Sequence, residues 1–239
     1  GDEIHAGSRL WARLRAARRL AFGDEDAGSR REAAPSGRAA GAGVESVAFT
    51  QRAASEAPRP SPDELARALE RRDLHVVYQP LFGVVEQRFV AVEALLRWRH
   101  PRLGQLGPAA FIELAEAHGL MPEITQLVLG RACRDASAWP SVGLAVNVSP
   151  SEFDDGGIVS RIAEGLRRTG FAASRLVIEI TEGSAFGDPA AAGAQLRELQ
   201  SLGIRTALDD FGAQHSGLLL LQRFSFDIVR LDKALIDAV

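Results

Sequence analysis

The 239-residue sequence contains a single cysteine, Cys133, so no disulfide can form within the chain and a reducing compartment is the simpler expectation. It has no apolar run close to the ~18–20 residues that a membrane-spanning helix needs, and its N-terminus lacks the apolar core of a signal peptide. A net charge of −3 excludes a strong overall attraction to nucleic acid or to acidic membranes. We therefore expect a cytoplasmic protein, or the cytoplasmic part of a larger membrane-anchored protein, with no DNA or RNA partner.

Methionine is equally scarce. Met121 is the only one in the sequence, so Gly1 is not expected to be the natural start, and we expect the sequence to belong to a longer chain. The bulk composition is ordinary, because 46% of the residues are hydrophobic and 25% are charged, which is typical of a soluble globular domain.

Residues 1–60 differ in composition from the rest and are predicted to be a linker or low-complexity segment, largely disordered or helical. One part of it, residues 8–22, places Leu10, Trp11 and Leu14 on one helical face among several arginines. A basic amphipathic helix is therefore predicted near residues 8–22. This helix could lie on a membrane or on a partner, or it could be a linker helix with a solvated face, and the sequence leaves these alternatives open.

From residue 61 to residue 239, apolar strand-like runs alternate with helical patterns. Ser61, Pro62 and Glu64 predict the start of a helix, since they supply an N-cap, a proline at the first helical position and a capping-box acid. The predicted strands are 75–81, 89–96, 144–148, 176–180, 206–208 and 228–231, and the predicted helices after the first are 108–118, 124–139, 158–169, 189–202 and 218–224. Such alternation predicts an α/β fold with a parallel sheet, and the repeated unit favours a TIM-like (β/α) barrel.

Acids and an amide interrupt or end four of these strands. The residues are Glu93 in VAVEALLRW, Asn147 in LAVNVS, Glu179 and Glu182 in LVIEITE, and Asp209 and Asp210 at the end of TALDD. A charge within an apolar strand costs several kcal/mol unless it is paired or bound to a metal. Because the C-terminal ends of parallel barrel strands converge on one face, these side chains could meet in one mouth.

Oxygen ligands of this kind suit Mg²⁺ or Mn²⁺, and no His or Cys cluster has the spacing of a zinc site. Adjacent Asp209 and Asp210 could serve two metals, one shared, as two-metal phosphoester cleavage requires. Each residue alone has a plainer explanation: Glu93 could pair with Arg97, Asn147 could be a turn residue, and the aspartates could mark a strand exit. Four such residues at the same end of successive strands favour the metal site.

The same residues carry a family resemblance. Residues 93–98, EALLRW, resemble the signature of the EAL family of cyclic di-GMP phosphodiesterases, and the flanking YQP at 78–80 and RHP at 99–101 agree with it. The motifs NVS at 147–149, EITE at 179–182 and DDFG at 209–212 follow in the family order and at similar spacing. The resemblance extends from about residue 62 to the end of the sequence.

This resemblance implies a metal-dependent enzyme of bacterial second-messenger signalling that hydrolyses cyclic di-GMP to linear pGpG with Mg²⁺ or Mn²⁺. By motif, the metal ligands would be Glu93, Asn147, Glu179, Asp209 and Asp210, with Asp209 bridging two ions. The catalytic set would be Asp209, Asp210, Glu182 and Arg230, with Glu182 as a supporting acid. Gln79 and Arg97 would contact the substrate, Arg97 through its planar fork. A homodimer formed through the barrel and an upstream sensor or GGDEF domain are the other implied partners.

Three departures from the family pattern bear on activity. Arg230 stands where the family has a lysine that helps to hold the attacking water, and the two side chains are not interchangeable at a tight site. Residues 213–218 are AQHSGL, where the family loop resembles TGYSSL and positions the second metal and the dimer interface. The barrel region is shorter than the lower bound of about 200 residues for such a fold and would lack about the last two strands, with a Glu and a Gln that they supply. We therefore expect impaired activity and reduced stability.

Two other functions remain open at this point. A degenerate EAL module would bind cyclic di-GMP or a protein partner without hydrolysis, which Arg230 and the altered loop favour. A purely structural interaction domain would bind neither ligand nor metal. The retained acids favour the phosphodiesterase over both.

Overall fold

The computed structural model describes residues 59–182, 186–213, 217–233 and 235. The basic helix predicted near residues 8–22, the rest of the linker up to residue 58, and residues 214–216 of the altered loop lie outside these residues. The strands are β1 (Leu74–Gly83), β2 (Arg88–His100), β3 (Gly104–Leu106), β4 (Gly143–Asn147), β5 (Leu176–Thr181), β6 (Arg205–Phe211) and β7 (Ile228–Leu231). The helices are α1 (Pro62–Arg71), α2 (Ile112–Ala117), α3 (Met121–Ala136), α4 (Ile158–Thr169), α5 (Pro189–Ser201) and α6 (Gly217–Arg223).

The strands form one sheet in the order β1-β2-β4-β5-β6-β7, and β3 pairs with β2. From β2 to β7 the neighbours in this order are parallel, as the sequence predicts. The pair β1–β2 differs, because it is antiparallel. Only residues 84–87 connect these two strands, and a parallel connection needs a crossover of a dozen residues or more.

Helix α1 begins where the sequence predicts. The Ser61 hydroxyl accepts the backbone N–H of Glu64 at 3.3 Å, and the Glu64 carboxylate accepts the N–H of Ser61 at 2.8 Å. The same carboxylate forms an ion pair of 2.8 Å with Arg102, in the turn after β2. The capping box therefore starts the helix and also ties it to the sheet, while Leu65 and Ala68 are buried in the core.

Side chains alternate between the two faces of the sheet, because successive residues of a strand point to opposite sides. Along β2, Val92, Ala94, Leu96 and Trp98 are buried in the main core with the helices, whereas Glu93 lies on the other face. The other face of the central strands carries its own small apolar cluster of Ala145, Val177 and Ala207, with Leu81 and Ile228 packed against it. We call Ala145, Val177 and Ala207 the floor.

The sheet curls toward the face that carries the floor. Strands β2 and β7 are four strand spacings apart in the sheet order, which is roughly 19 Å in a flat sheet. Yet Arg230 Nη1 on β7 lies 3.3 Å from Glu93 Oε2 on β2. These two side chains meet because the face is concave, as in the wall of a barrel. Within the described residues, no helix has the length and apolarity that crossing a membrane requires.

Candidate functional site

The residues that lie two positions after the floor residues on their strands are Asn147, Glu179 and Asp209. Since side chains repeat on one face with a period of two, these three share the concave face with the floor and lie nearer the C-terminal strand ends. Glu93 on β2 joins them. One carboxylate oxygen from each of Glu93, Glu179 and Asp209 lies within 4.8 Å of the other two. We call these three residues the carboxylate cluster.

Asn147 contacts the cluster from the strand between β2 and β5. Its Nδ2 donates a hydrogen bond of 2.9 Å to Glu93 Oε1, and its Cα is paired in register with Glu179. The four residues that the sequence predicts to meet are therefore brought together. The alternative ion pair between Glu93 and Arg97 does not form, because the Arg97 guanidinium instead donates to the Leu96 carbonyl at 2.8 Å.

Glu179 is the most deeply placed member, with a relative exposure of 0%. Burial raises the pKa of its carboxyl to about 8; the positive charge of Arg230 lowers this pKa, and the negative charges of Glu93 and Asp209 raise it. Neither of its oxygens accepts a hydrogen bond of good geometry from the described residues, although an Arg230 nitrogen contacts Oε1. A buried carboxylate among other acids, with few donors around it, fits a divalent cation.

Asp209 and Asp210 lie at an irregularity of β6, where the register with β7 shifts between Leu208 and Phe211. Asp210 adopts a left-handed backbone conformation with φ of 54°, which a bulge allows and a regular strand does not. As a result the two adjacent carboxylates differ in position: Asp209 joins the cluster and Asp210 is exposed beside it. Burial and then the charge of Asp209 raise the pKa of Asp210, so the two acids are close enough to repel.

Arg230 reaches the cluster from β7. Its Nη1 lies 3.3 Å from Glu93 Oε2 and 4.0 Å from Asp209 Oδ1, and its Nη2 contacts Glu179 Oε1. The family resemblance implies a lysine at this position that would help to hold the attacking water. The structure places the Arg230 guanidinium against all three carboxylates.

Glu182 lies outside the cluster and binds the backbone of the segment that follows Asp210. Its Oε2 accepts the N–H of Gly212 at 2.6 Å and its Oε1 accepts the N–H of Gly217 at 2.7 Å. Its own N–H donates to the Asp209 carbonyl at 3.0 Å. Gly212 has φ of 93°, a conformation that residues with a Cβ rarely adopt. Glu182 therefore holds both ends of the segment 212–217 beside β6.

The two predicted substrate-binding residues lie on β1 and β2. Gln79 is exposed and is paired in register with Glu93. Arg97 is half-buried and lies four residues beyond Glu93, on the same side of β2. Both therefore share the face of Glu93, Gln79 directly opposite it on β1 and Arg97 nearer the C-terminal end of β2.

One buried acid outside the predicted set is Glu152, in the turn that follows β4. Its side chain is 1% exposed, accepts a hydrogen bond of 2.6 Å from Thr125 and lies 3.6 Å from Arg161. Burial raises the pKa of Glu152 to about 7, against the smaller opposing effects of Thr125 and Arg161. The sequence gives little signal for this burial, because Glu152 lies in a turn with other polar residues, among them Ser151 and Asp154.

We expect Glu152→Gln to stabilise the protein at pH 8 and to change its stability little at pH 5. The folded state prefers the neutral acid, so stability falls as the pH rises from about 4.5 to about 7, and the uncharged amide avoids this loss. The gain in the free energy of unfolding at pH 8 should be of the order of 2–3 kcal/mol. Urea unfolding of both proteins at the two pH values measures it.

The matched control for this prediction is Glu164→Gln, on the surface of α4. Arg167 lowers the pKa of Glu164 by hydrogen bonding, so this residue stays ionised in the folded protein at both pH values. Its replacement should have the same small effect at pH 5 and pH 8. The prediction would be contradicted if Glu152→Gln changed the free energy of unfolding by the same amount at pH 5 and pH 8.

A family model described as the EAL domain matches residues 63–239. A signalling protein of Caulobacter vibrioides, described as uncharacterized, is 40% identical over 177 residues, which is 74% of this chain and 22% of that protein.

The second relative is a Pseudomonas aeruginosa protein described as the bifunctional diguanylate cyclase/cyclic di-GMP phosphodiesterase MucR. It is 37% identical over 179 residues, 73% of this chain and 26% of its own length. A solved structure described as the PaMucR phosphodiesterase in complex with c-di-GMP superposes with a TM-score of 0.67 and 36% identity, covering 73% of each chain. This chain therefore spans about a quarter or less of the length of these two curated relatives.

Proposed function

The chain belongs to the EAL domain family, and on that premise we propose that it binds cyclic di-GMP above the carboxylate cluster and hydrolyses it to linear pGpG with Mg²⁺ or Mn²⁺. The observation that carries this proposal is the convergence of Glu93, Glu179 and Asp209, from three different strands, to within 4.8 Å. The likeness to a phosphodiesterase described in complex with c-di-GMP, at 36% identity, supports the same ligand.

In this proposal Glu93, Asn147, Glu179 and Asp209 hold a first divalent ion, and Asp209 and Asp210 together hold a second. The exposed position of Asp210 beside Asp209, at the bulge of β6, supports this division. The bound ions would supply positive charge toward the phosphoryl oxygens and activate water for attack on phosphorus. Glu182 keeps the segment after Asp210 in place by binding Gly212 and Gly217.

The remaining roles fall to Arg97, Gln79 and Arg230. Arg97 has a planar guanidinium suited to two hydrogen bonds with a phosphate, and Gln79 can donate to or accept from the ligand beside Glu93. Arg230 would face the developing negative charge of the phosphoryl group once the cluster is bound to metal. The floor closes the N-terminal side of the site with apolar side chains, which limits access of water from below.

A second candidate function is a module that binds cyclic di-GMP, or a protein partner, without hydrolysis. The contacts of Arg230 with all three cluster carboxylates favour it, because they place a fixed cation where the metal ligands converge. An upstream sensor or GGDEF domain, a homodimer, the cytoplasmic location and the division at residue 60 remain predictions.

The purified chain should convert cyclic di-GMP to pGpG in the presence of Mn²⁺ and not in the presence of a chelator. Chromatography of the products detects hydrolysis, and calorimetry with cyclic di-GMP in Ca²⁺, which occupies oxygen sites, measures binding separately. Binding without pGpG would select the second candidate. If the chain showed neither binding nor turnover, both candidate functions would be contradicted and an interaction domain would remain.

A further inference from the structure

The carboxylate cluster already contacts a cation of the chain itself. The Arg230 side chain forms ion pairs with Glu93, Glu179 and Asp209. These partners come from β2, β5 and β6, so a single guanidinium on β7 connects all three strands. Its side chain is 23% exposed, more than those of Glu93 at 14%, Asp209 at 18% and Glu179 at 0%.

The shape of the guanidinium explains why one residue can do this. Its nitrogens form a planar fork, so Nη1 can lie between Glu93 and Asp209 while Nη2 contacts Glu179. A lysine at this position would bring one ammonium group, which cannot take the same three positions at once. The charge of Arg230 offsets part of the repulsion within the cluster.

We propose that Arg230 is a built-in counter-cation that competes with the divalent metal for the carboxylate cluster, so that metal binding requires its guanidinium to leave Glu179. This inference rests on the proposed function for the existence of the metal site. Two consequences follow from the shared ligands. Without metal, Arg230 holds the three carboxylates together. The metal concentration needed to occupy the cluster is higher than for a chain that carries lysine at this position.

Arg230→Lys is the decisive variant, because it keeps the charge and removes the fork. Direct competition predicts that Arg230→Lys binds Mn²⁺ at least about tenfold more tightly than the unmodified protein, and Arg230→Gln more tightly still. If only the net charge mattered, the Mn²⁺ affinity of Arg230→Lys would equal that of the unmodified protein. Isothermal titration calorimetry with MnCl₂ as the only added ligand measures all three affinities.

The matched control is Arg205→Gln, at the exposed start of β6. It removes the same charge as Arg230→Gln. Arg205 lies on the same strand as Asp209, four residues before it and therefore roughly 13 Å away along the strand. Arg205→Gln should leave the Mn²⁺ affinity within about twofold of the unmodified protein, because screening weakens interactions over such a distance at physiological salt.

Thermal unfolding supplies a second readout that does not depend on turnover. In a chelator, Arg230→Gln should melt at a lower temperature than the unmodified protein, since its cluster has lost its counter-charge. Saturating Mn²⁺ should raise the melting temperature of Arg230→Gln more than that of the unmodified protein.

Equal Mn²⁺ affinity of Arg230→Lys and the unmodified protein would overturn the inference and leave the proposed function intact. Failure of all the variants and the unmodified protein to bind Mn²⁺ would overturn the inference together with the metal dependence of the proposed function.

Discussion

Glu179→Gln should weaken Mn²⁺ binding and metal-dependent hydrolysis of cyclic di-GMP by more than about 100-fold. Loss of a residue that only supports a metal ligand costs about 10–100-fold, and Glu179 is proposed to bind the metal directly, so its loss should cost more. Glu179 is the fully buried member of the cluster, and neither of its oxygens accepts a hydrogen bond of good geometry from the described residues. The amide keeps the shape of the side chain and removes the charge that a metal requires. Calorimetry with MnCl₂ and product analysis measure the two losses.

The same variant should not lower the stability of the metal-free protein. Burial raises the pKa of Glu179 to about 8 even with Arg230 beside it, so the cost of burying its charge exceeds what the contact with Arg230 returns, and glutamine avoids that cost. Urea unfolding in a chelator at pH 7 should therefore give a free energy of unfolding no smaller than that of the unmodified protein. Loss of metal binding with retained stability separates a ligand from a structural residue.

Glu198→Gln, on the exposed face of α5, provides the control for Glu179→Gln, since it removes one carboxylate from the surface and leaves the cluster untouched. It should bind Mn²⁺ as the unmodified protein does. If Glu179→Gln also bound Mn²⁺ within a fewfold of the unmodified protein, Glu179 would not be a metal ligand and the first metal site would have to be reassigned.

The sequence predicts most strands of this fold well, because an apolar run is a local property. Glu93, Glu179 and Asp209 could be expected in one mouth because each interrupts or ends such a run and parallel strands converge at their C-terminal ends. The antiparallel pairing of β1 with β2 was missed, although the short connection 84–87 indicates it: four residues allow a hairpin and exclude a crossover. Connection length carries information that hydrophobic pattern does not.

The position of Arg230 could not be predicted in the same way. Its contact with Glu93 joins β2 to β7 and exists because the sheet is curved, which no local pattern encodes. The family resemblance implies only that an arginine stands where a lysine is expected. Similarly, the bulge that separates Asp209 from Asp210 depends on pairing with β7, so two adjacent acids could not be assigned different positions from the sequence alone.

Glu182→Gln should reduce metal-dependent hydrolysis about 10–100-fold, as expected for a residue that positions others, with a smaller loss of Mn²⁺ affinity than Glu179→Gln shows. Both oxygens of Glu182 accept short bonds from backbone N–H groups, of Gly212 and Gly217. The amide of glutamine offers one acceptor oxygen, and its NH₂ group would face the other N–H as a second donor. One end of the segment after Asp210 would then lose its attachment.

Hydrogen exchange provides the readout that identifies this role. In Glu182→Gln, the amide of Gly212 or Gly217 should exchange faster than in the unmodified protein, because a charge-assisted bond contributes about 1.5–3 kcal/mol and one of the two is lost. Glu116→Gln is the matched control, since Glu116 accepts a hydrogen bond from the Ser149 hydroxyl and the glutamine carbonyl can still accept it. That variant should keep its turnover. Unchanged exchange at both glycines, together with lost turnover, would mean that Glu182 acts on the reaction directly and not through the segment that it holds.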